Sequence, residues 1–532
     1  MLFTSYTFVV FTAAVILLYY IVPKKLQWPL LLAASLAFYW CADPTGLPRY
    51  LGFMLVTALS AWSCALLIGS QDQKSSDYLA AHKADLSKED KKAYKDKVKK
   101  KKAAIMAVCL LFNLGILAVT KYTEFFINNI TALITKGRDL KVPDLIIPMG
   151  ISFYTFRTLG YIIDVKRGTV KPERNFAKLL LFVSFFPQIV QGPISRWNNV
   201  APTLFAEHSY KGEVMLSGVL RILFGYFKKL LVAERLVIAV KALTADPETY
   251  SGMYVFAAMI FYAAELYCDF TGGIDITIGI AECMGIKLEE NFELPFFSKN
   301  IKEYWNRWHI TMGSWFTDYI FYPLSVSPKM LRLSKKSREK LGNAIGKRIT
   351  VYISCFLVWL ATGVWHGAAW NFIVWGLMNF VVIMASQELE PLYAKFHGRF
   401  GLKKKKGYAV FEIIRTFLLM SMIRMFDVYR DVPLTFRMVW SMFARPFAGS
   451  AETGGLMALG LTGYDYAVVG ASVAVIFALS FYKALKGEDI RKRIVPVYPL
   501  ALTAVTVLII VVLVFGAYGQ GYEATQFIYN QF

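Results

Sequence analysis

The sequence contains few residues of the kinds that build metal or disulfide sites. Of its 532 residues, six are cysteine and five are histidine. The cysteines lie in or beside apolar segments without paired spacing: Cys41, Cys64, Cys109, Cys268, Cys283 and Cys355. We therefore predict neither a disulfide framework nor a zinc site.

Charged residues are also scarce, at 18%, whereas hydrophobic residues reach 56% and the mean hydropathy is +0.45. Apolar stretches of ~20 residues, the length of a membrane-spanning helix, recur along the chain. Only helices and closed barrels satisfy their backbone polar groups inside lipid. We predict an all-α polytopic membrane protein with helices at 3–22, 26–41, 50–69, 103–120, 145–163, 177–191, 250–268, 349–362, 368–386, 409–425, 464–482 and 497–517, and with further crossings in the less regular middle. The start, MLFTSYTFVV, lacks a basic region, so we expect the first helix to stay in the membrane.

The chain has too few acidic residues to balance its basic ones, which leaves a net charge of +22. In a polytopic protein, basic loops mark the cytoplasmic face, and we prefer this interpretation to nucleic-acid binding. The basic clusters predict a C-terminal tail, 519–532, outside the cell. They also predict a cytoplasmic insert at 71–102, which we interpret as a solvated, basic helical hairpin or surface helix. Residues 431–463 carry no motif that we can interpret.

One histidine, His366, lies between two long apolar runs in FLVWLATGVWHGAAWNFIVWGLMNF. A helix that begins near Arg348 reaches it after ~18 residues at ~1.5 Å each, and a second helix returns to Lys403. His366 therefore marks a turn in the membrane, where Gly363 and Gly367 permit bending and close approach. An ionisable group at such a depth favours a functional role, although a histidine that only bonds neighbouring helices is the alternative.

Three other polar insertions interrupt apolar segments, which indicates an aqueous or substrate-lined interior. YWNRWHITMGSWFTDYIFYPL, residues 304–324, reads as a re-entrant or cavity-lining helix. The insertions supply candidate residues that support catalysis: His309, Asn306, Arg307, Trp308 and Asp318 here, Asp269 upstream, Gln188 in SFFPQIVQGPISRW, and Trp365 beside His366. Asp269 and Asp318 fit structural roles, such as an ion pair or a helix cap, at least as well.

Three blocks in this order resemble the membrane-bound O-acyltransferase family: YCDFTGGIDITIGIAECMGIKLEENFELPF, EYWNRWHITMGSWFTDYIFYPL and ATGVWHGAAWNFIVWGLMN. The similarity is greatest to the bacterial branch that acylates surface polymers. The resemblance implies a ring of tilted helices around a central funnel, within one membrane domain over 1–532. It places the family's catalytic histidine on His366 and its second histidine on His309.

Acyl transfer to a hydroxyl requires a base near neutrality, and imidazole has an unperturbed pKa there. The resemblance implies a cytoplasmic thioester donor, acetyl-CoA, and no permanently bound cofactor or metal. The terminal residues FIYNQF fit an F-x-Y-x-x-F motif found in this branch, so Tyr529 is the candidate acyl carrier, with an aromatic membrane anchor as the alternative.

A tyrosine relay implies a separate extracytoplasmic transferase, of the serine-esterase type, and a polysaccharide acceptor. The other expected partners are membrane lipids, with no nucleic acid, in a bacterial cytoplasmic membrane. D-alanyl transfer to teichoic acid, a lipid acyltransferase and a transporter or flippase remain alternatives, although the paired repeats of many transporters are absent from the sequence. Nothing in the sequence selects the polymer.

Overall fold

A computed structural model describes residues 3–42, 48–134, 145–448 and 455–518. The chain divides into two compact units, residues 1–211 with 281–289, and residues 212–280 with 290–532. The first unit contains α1 Tyr6–Ile21, α2 Gln27–Trp40, α3 Arg49–Ala81, α4 Lys88–Ile134, α5 Ile151–Arg167, α6 Phe176–Ser184, α7 Phe186–Val190 and α8 Trp197–Leu204.

The second unit is also helical and carries the segments that hold both histidine motifs. Two stretches within it are π-helical, Lys228–Ala233 and Thr317–Phe321. Its helices are α9 Gly212–Phe227, α10 Glu234–Ala245, α11 Met253–Cys283 (whose last three residues belong to the first unit), α12 Ile301–Arg307, α13 Ile310–Phe316, α14 Tyr322–Ser325, α15 Pro328–His366 (interrupted at Gly342, where φ is +77°), α16 Trp370–Glu388, α17 Glu390–Phe400, α18 Lys406–Ile423, α19 Met425–Tyr429, α20 Val432–Ala444, α21 Gly463–Lys486, α22 Arg491–Ile494 and α23 Tyr498–Phe515. Short 3₁₀ turns occur at Lys24–Leu26, Pro295–Phe297, Leu402–Lys404 and Gly455–Ala458.

Seven helices of the described chain are long and apolar enough to cross a membrane: α3, α4, α11, α15, α16, α21 and α23. The predicted all-α, multi-pass membrane protein is therefore confirmed. The predicted helix at 177–191 is instead two helices, because the backbone leaves the helical region at Phe185 (φ −46°, ψ 107°), and Pro187 lies in the first turn of the second helix, where proline is tolerated.

Residues 212–245 form a continuous helical element that the apolar pattern did not reveal. Its π-helical turn, Lys228–Ala233, joins α9 to α10. Hydropathy missed this element because five charged side chains lie within it and are buried: Arg221, Lys228, Lys229, Glu234 and Arg235. Glu234 pairs with Lys229 of the same element, and the four basic residues also pair with carboxylates elsewhere in the second unit, which is how buried charges are retained.

The predicted insert at 71–102 lies on the extended ends of α3 and α4, so the chain forms a helical hairpin there. The rings of Tyr78 and Tyr94 stack with centroids 4.3 Å apart. Farther from the loop of the hairpin, Lys102 pairs with Asp72 at 2.6 Å. These contacts hold the two helices together in a stretch that is largely exposed.

Helices α9 and α11 approach each other closely at two levels, seven residues apart on each helix. A Cβ on Gly225 would lie 2.6 Å from the carbonyl oxygen of Gly272, and a Cβ on Gly279 would lie 2.8 Å from that of Gly218. Small residues at such levels let two helix backbones pack together in a membrane protein. This contact fixes the helix that carries Arg221 and Lys228 against the helix that carries Asp269 and Asp275.

We expect Gly225→Leu to destabilise the folded protein by about 1–3 kcal/mol, because a larger side chain must push the two backbones apart. The measurement is the midpoint of thermal unfolding of the detergent-solubilised protein. Gly470→Leu is the matched control, since no atom lies within 4 Å of a Cβ at Gly470 on α21. Equal midpoints for the two variants would contradict the close-packing argument.

Candidate active site

The WNRWH segment does not form one helix, as the sequence predicted, but breaks between α12 and α13. His309 has a φ of +50°, a left-handed conformation that is uncommon for residues other than glycine. A short extended segment pairs with the break: Glu293 donates its N–H to the carbonyl of Arg307, and Ile310 donates to that of Asn291, each at 2.9 Å. This backbone pairing supplies the hydrogen bonds that the interrupted helix lacks.

The Asn291 side chain determines which tautomer the His309 ring adopts. Its Oδ1 accepts from the backbone N–H and the hydroxyl of Thr311, at 3.1 and 2.9 Å, and lies 3.1 Å from Nδ1 of His309. Because a backbone N–H can only donate, the atom it contacts must be the amide oxygen, and Nδ1 of His309 must carry a proton. A neutral His309 therefore has its lone pair on Nε2.

His309 is fully buried and lies outside the seven long apolar helices. Burial, and to a lesser extent the positive charge of Arg424, lowers the pKa of His309 to about 3. The ring is therefore neutral near pH 7. A neutral imidazole held in this tautomer presents an acceptor nitrogen to the site.

His366 is the last residue of α15, and the predicted turn follows it directly. Gly367 is extended, and α16 begins at Trp370. A Cβ on Gly363 would lie 2.5 Å from the carbonyl oxygen of Phe372, and one on Gly367 would lie 2.2 Å from the ring of Phe372. The two glycines therefore let α16 pack directly against the end of α15, and His366 is only 6% exposed.

The indole of Trp365 contacts both histidine rings. Its ring centroid is 4.9 Å from that of His366 and 6.0 Å from that of His309, with edge-on geometry in both cases. Trp375 packs on His366 at 4.6 Å, and Phe270 packs on His309 at 5.0 Å. The structure thus brings His309, Trp365 and His366, all predicted site residues, into one buried aromatic cluster.

Other predicted residues of the same segment have different surroundings. Trp308 is buried, whereas Asn306 is exposed on α12. Arg307 pairs with Glu303 at 2.7 Å, one turn earlier in the helix. Asp318 is half-buried in the π-helical turn Thr317–Phe321. Tyr529 and the rest of the 519–532 tail lie outside the described residues.

Asp269 lies in a buried ionic cluster. It accepts from the Lys229 ammonium at 2.5 Å, and Glu234 contacts the same ammonium at 2.8 Å. Gln188 belongs to the first unit, where it donates to Ser195 at 2.7 Å. Within the described residues, no group of three His, Cys, Asp or Glu side chains could hold a metal ion.

The second unit also contains a cavity of about 510 Å³. One side is apolar and includes Phe224, Phe227 and Leu508, and Phe292 forms part of the lining. Phe292 in turn contacts Trp308 with ring centroids 5.0 Å apart, next to His309 in the chain. The charged lining contains basic and acidic residues in equal number: Arg221, Lys228, Lys483, Arg491 and Lys492, with Asp275, Glu290, Glu293, Glu488 and Asp489. Several of these charged residues are paired. For example, the Arg221 guanidinium donates two hydrogen bonds to the Glu290 carboxylate, at 2.7 and 2.6 Å.

Two residues of the site were missed in the sequence, Asn291 and Arg424. Asn291 lies within the first of the three blocks that resemble the family, but nothing in that block singles it out, so only its contact with His309 identifies it. Arg424 had a signal: it is the second of two arginines in the apolar stretch 409–425 and lies at its end, with Asp427 three residues later. An ionisable pair in such a stretch indicates a buried, specific contact.

The fold and this site define a polytopic α-helical membrane protein with two buried histidines joined through an indole. Residues 171–338 match the model of the membrane-bound O-acyltransferase family. The chain therefore carries a domain of that family, and the predicted resemblance is confirmed. His309 lies within the matched region, and His366 follows it.

Curated relatives come from the surface-polymer branch. The chain is 30% identical over 382 residues to a probable alginate O-acetylase of Azotobacter vinelandii, covering 71% of this chain and 66% of the relative. It is 29% identical over 316 residues to a peptidoglycan O-acetyltransferase of Helicobacter pylori, covering 54% and 56%. It is 29% identical over 281 residues to a teichoic acid D-alanyltransferase of Bacillus subtilis, covering 52% and 67%. The matches thus span about half to two thirds of these relatives' lengths.

Proposed function

We propose that this protein is a membrane O-acyltransferase that takes an acetyl group from a cytoplasmic thioester and delivers it for O-acylation of a cell-surface polysaccharide. The observation that carries the proposal is the buried His309–Trp365–His366 cluster, built from the two motifs that resemble the family. The names of the alginate and peptidoglycan relatives support acetyl as the group and a polysaccharide as the acceptor.

In this reaction His366 is the general base. It takes the proton of the attacking hydroxyl as the oxygen forms a bond to the thioester carbonyl carbon. The tetrahedral intermediate then expels the thiolate, the carbon–sulfur bond breaks, and the proton passes from the imidazolium to the leaving sulfur. The ester and the free thiol are the products, and the imidazole returns to its neutral form.

His309 suits a positioning or polarising role better than that of the base. Its Nδ1–H is committed to Asn291, and its left-handed backbone is fixed by the pairing around Ile310. A group held so rigidly loses little freedom in the transition state, which favours preorganised electrostatic support. The indoles beside the two rings exclude water from the same volume.

The cavity in the second unit is our candidate binding site for an extended donor such as acetyl-CoA. Its volume, about 510 Å³, lies in the range of small-molecule sites, and its apolar side suits the uncharged arm of the donor. Arg221 and Arg491 lie among its lining residues, each with a carboxylate partner. Phosphates of the donor would exchange with such carboxylates, so we expect the donor's affinity to depend on the cavity's basic side chains.

The proposed location is a bacterial cytoplasmic membrane. The basic stretches at 83–102, 329–348, 403–406 and 483–493 face the cytoplasm in this arrangement, as the positive-inside bias requires. The cavity residues Lys483, Arg491 and Lys492 belong to the last of these stretches. The donor cavity and the cytoplasmic pool of thioester are then on the same side, and the tail after α23 is outside.

D-alanyl transfer is a second candidate, favoured by the match to the teichoic acid D-alanyltransferase. It would use the same base and the same acyl chemistry with a different thioester. The two candidates differ in the mass of the transferred group and in whether acetyl-CoA is consumed.

The direct test measures release of free CoA from acetyl-CoA by the purified protein in vesicles that contain an acceptor polysaccharide and the partner transferase. We expect CoA release that depends on the protein. Lys492→Gln should raise KM for acetyl-CoA about threefold, equivalent to roughly 0.6 kcal/mol, the size of an exposed charge pair, without changing kcat.

Lys486→Gln is the matched control, because Lys486 ends α21 near the cavity but does not line it. An unchanged KM in Lys492→Gln would remove the cavity as the donor site. CoA release no faster than in vesicles without the protein would reject acetyl-CoA as the donor.

A further inference from the structure

Arg424 is a buried cation between α18 and α19. Its relative exposure is 6%, and Asp427, with which it pairs at 3.2 Å, is 8% exposed. Desolvating an ion pair costs free energy, and the contacts of Arg424 with Asp427 and with the Tyr304 side chain offset only part of it. Additional interactions must therefore retain the guanidinium at this position.

Three indoles surround the guanidinium. Its central carbon lies 5.0 Å from the ring centroid of Trp308, 5.0 Å from that of Trp375 and 5.7 Å from that of Trp305. All three distances are within the range of cation–π attraction, which is stronger in a desolvated site. A planar guanidinium can stack on several rings at once, whereas a lysine ammonium acts as a point charge.

The three indoles belong to both histidine segments. Trp305 and Trp308 precede His309 in the WNRWH motif, and Trp308 is its direct neighbour. Trp375 packs on the His366 ring with centroids 4.6 Å apart, so a single indole separates the guanidinium from His366. Arg424 is thus a contact shared by the two motifs, in addition to the direct contact of Trp365 with His309.

The turn that bears Arg424 is itself fixed to the start of α16. The side-chain amide of Asn371 donates to the carbonyl oxygen of Phe426 at 3.0 Å. Trp375 lies one turn after Asn371 on the same helix. The hydrogen bond from Asn371 therefore fixes the turn that bears Arg424, and with it the guanidinium, relative to Trp375.

We propose that Arg424 is a positioning residue for acyl transfer, which holds Trp308 and Trp375 in one arrangement and thereby fixes His309 and His366 relative to each other. The inference rests on the proposed function. It acts through the indoles, so the shape of the guanidinium, which lies close to three rings at once, matters and not its charge alone. Displacing a catalytic group by about 1 Å can cost about 10²-fold in rate.

The test compares kcat and KM for acetyl-CoA in the vesicle assay for wild type, Arg424→Lys and the double variant Arg424→Gln/Asp427→Asn. The double variant removes both charges, so it leaves no unpaired buried carboxylate that would unfold the protein. We expect kcat to fall at least about tenfold in both, with KM within about twofold of wild type. Arg437→Gln, an exposed arginine on α20, is the control and should match wild type.

A role confined to the ion pair with Asp427 predicts a different pattern. Arg424→Lys, which keeps the positive charge, would then have the wild-type kcat. The double variant, which removes both charges, would also have the wild-type kcat. Either result overturns the proposal. A wild-type protein that releases no CoA would instead count against the proposed function.

A second readout separates the two failures because it needs no acyl transfer. The rate at which diethyl pyrocarbonate modifies His366, followed by peptide mass spectrometry, reports how well Trp375 covers the ring. We expect modification at least about fivefold faster in Arg424→Lys than in wild type. The reason is that a lysine ammonium, unlike the planar guanidinium, would not hold Trp375 together with the other two indoles. An unchanged rate overturns the proposal whatever the acyl donor is.

Discussion

Replacing His366 with alanine is expected to reduce surface-polymer acylation by about 10²–10⁴-fold, the range for loss of a general base. The hydroxyl nucleophile is weak until its proton is removed, and the imidazole is the group that performs this step in the proposed reaction. The measurement is the ester content of the polymer in cells, together with CoA release in the vesicle assay. The amount of protein in the membrane is measured in parallel.

The matched control is His397→Ala. His397 is a histidine of the same unit, on α17, and its ring contacts the Tyr408 hydroxyl at 2.8 Å, outside the aromatic cluster of the site. We expect it to retain normal acylation. Full acylation by His366→Ala at a normal membrane level would refute the central chemical claim, and equal losses in the two variants would point to a general effect on folding.

The spacing of apolar runs was sufficient to predict the fold class. The segment at 464–482 lies within α21, the segment at 349–362 lies within the part of α15 that follows Gly342, and the segment at 250–268 lies within α11 except for its first three residues. Length alone carries this information, because a helix must satisfy its own backbone to cross lipid. Hydropathy failed at 212–245, where buried charges pair with residues distant in sequence, and such pairing has no local signal.

The location of the candidate site was predicted more fully than its geometry. His366 and Gly367 could be placed at a turn by counting residues from the basic stretch that ends at Arg348. The break at His309 could not, because it depends on a backbone pairing with residues 291–293, about 16 residues upstream. The tautomer of His309 depends on the same segment, through Asn291.

The buried histidine also has a consequence for the charge balance of the proposed acyl transfer across the membrane. In the proposed reaction the acyl group moves outward, and the acceptor's hydroxyl proton must end on the thiol at the cytoplasmic side. The exchange is electrically neutral, because an acyl unit leaves the sulfur and a proton replaces it. A single base between the two sides can pass both, since it is neutral before and after each turnover. In the proposed reaction the imidazole of His366 meets this requirement, whereas the permanently charged Arg424, which contacts the same indoles, is paired with Asp427.

Tyr529→Phe is expected to abolish acyl transfer to the polymer while leaving the protein in the membrane. A phenol ester is more activated than a sugar ester, so transfer from tyrosine onward to a polysaccharide hydroxyl is downhill. In cells without the partner transferase, the acylated tail should accumulate. Peptide mass spectrometry should then find an added mass of ~42 Da, the mass of one acetyl group, on Tyr529 of wild type but not in His366→Ala.

Tyr522→Phe is the matched control, since Tyr522 lies in the same tail outside the F-x-Y-x-x-F motif. This variant should acylate the polymer normally and should still carry the modification on Tyr529. A different added mass at Tyr529, dependent on His366, would retain the relay and change the donor, and the mass of an alanyl group would select the D-alanyl alternative. An unmodified Tyr529 in cells that acylate the polymer normally would make the tail an anchor or docking element, because the acyl group would then have to pass directly from the histidine site to its acceptor.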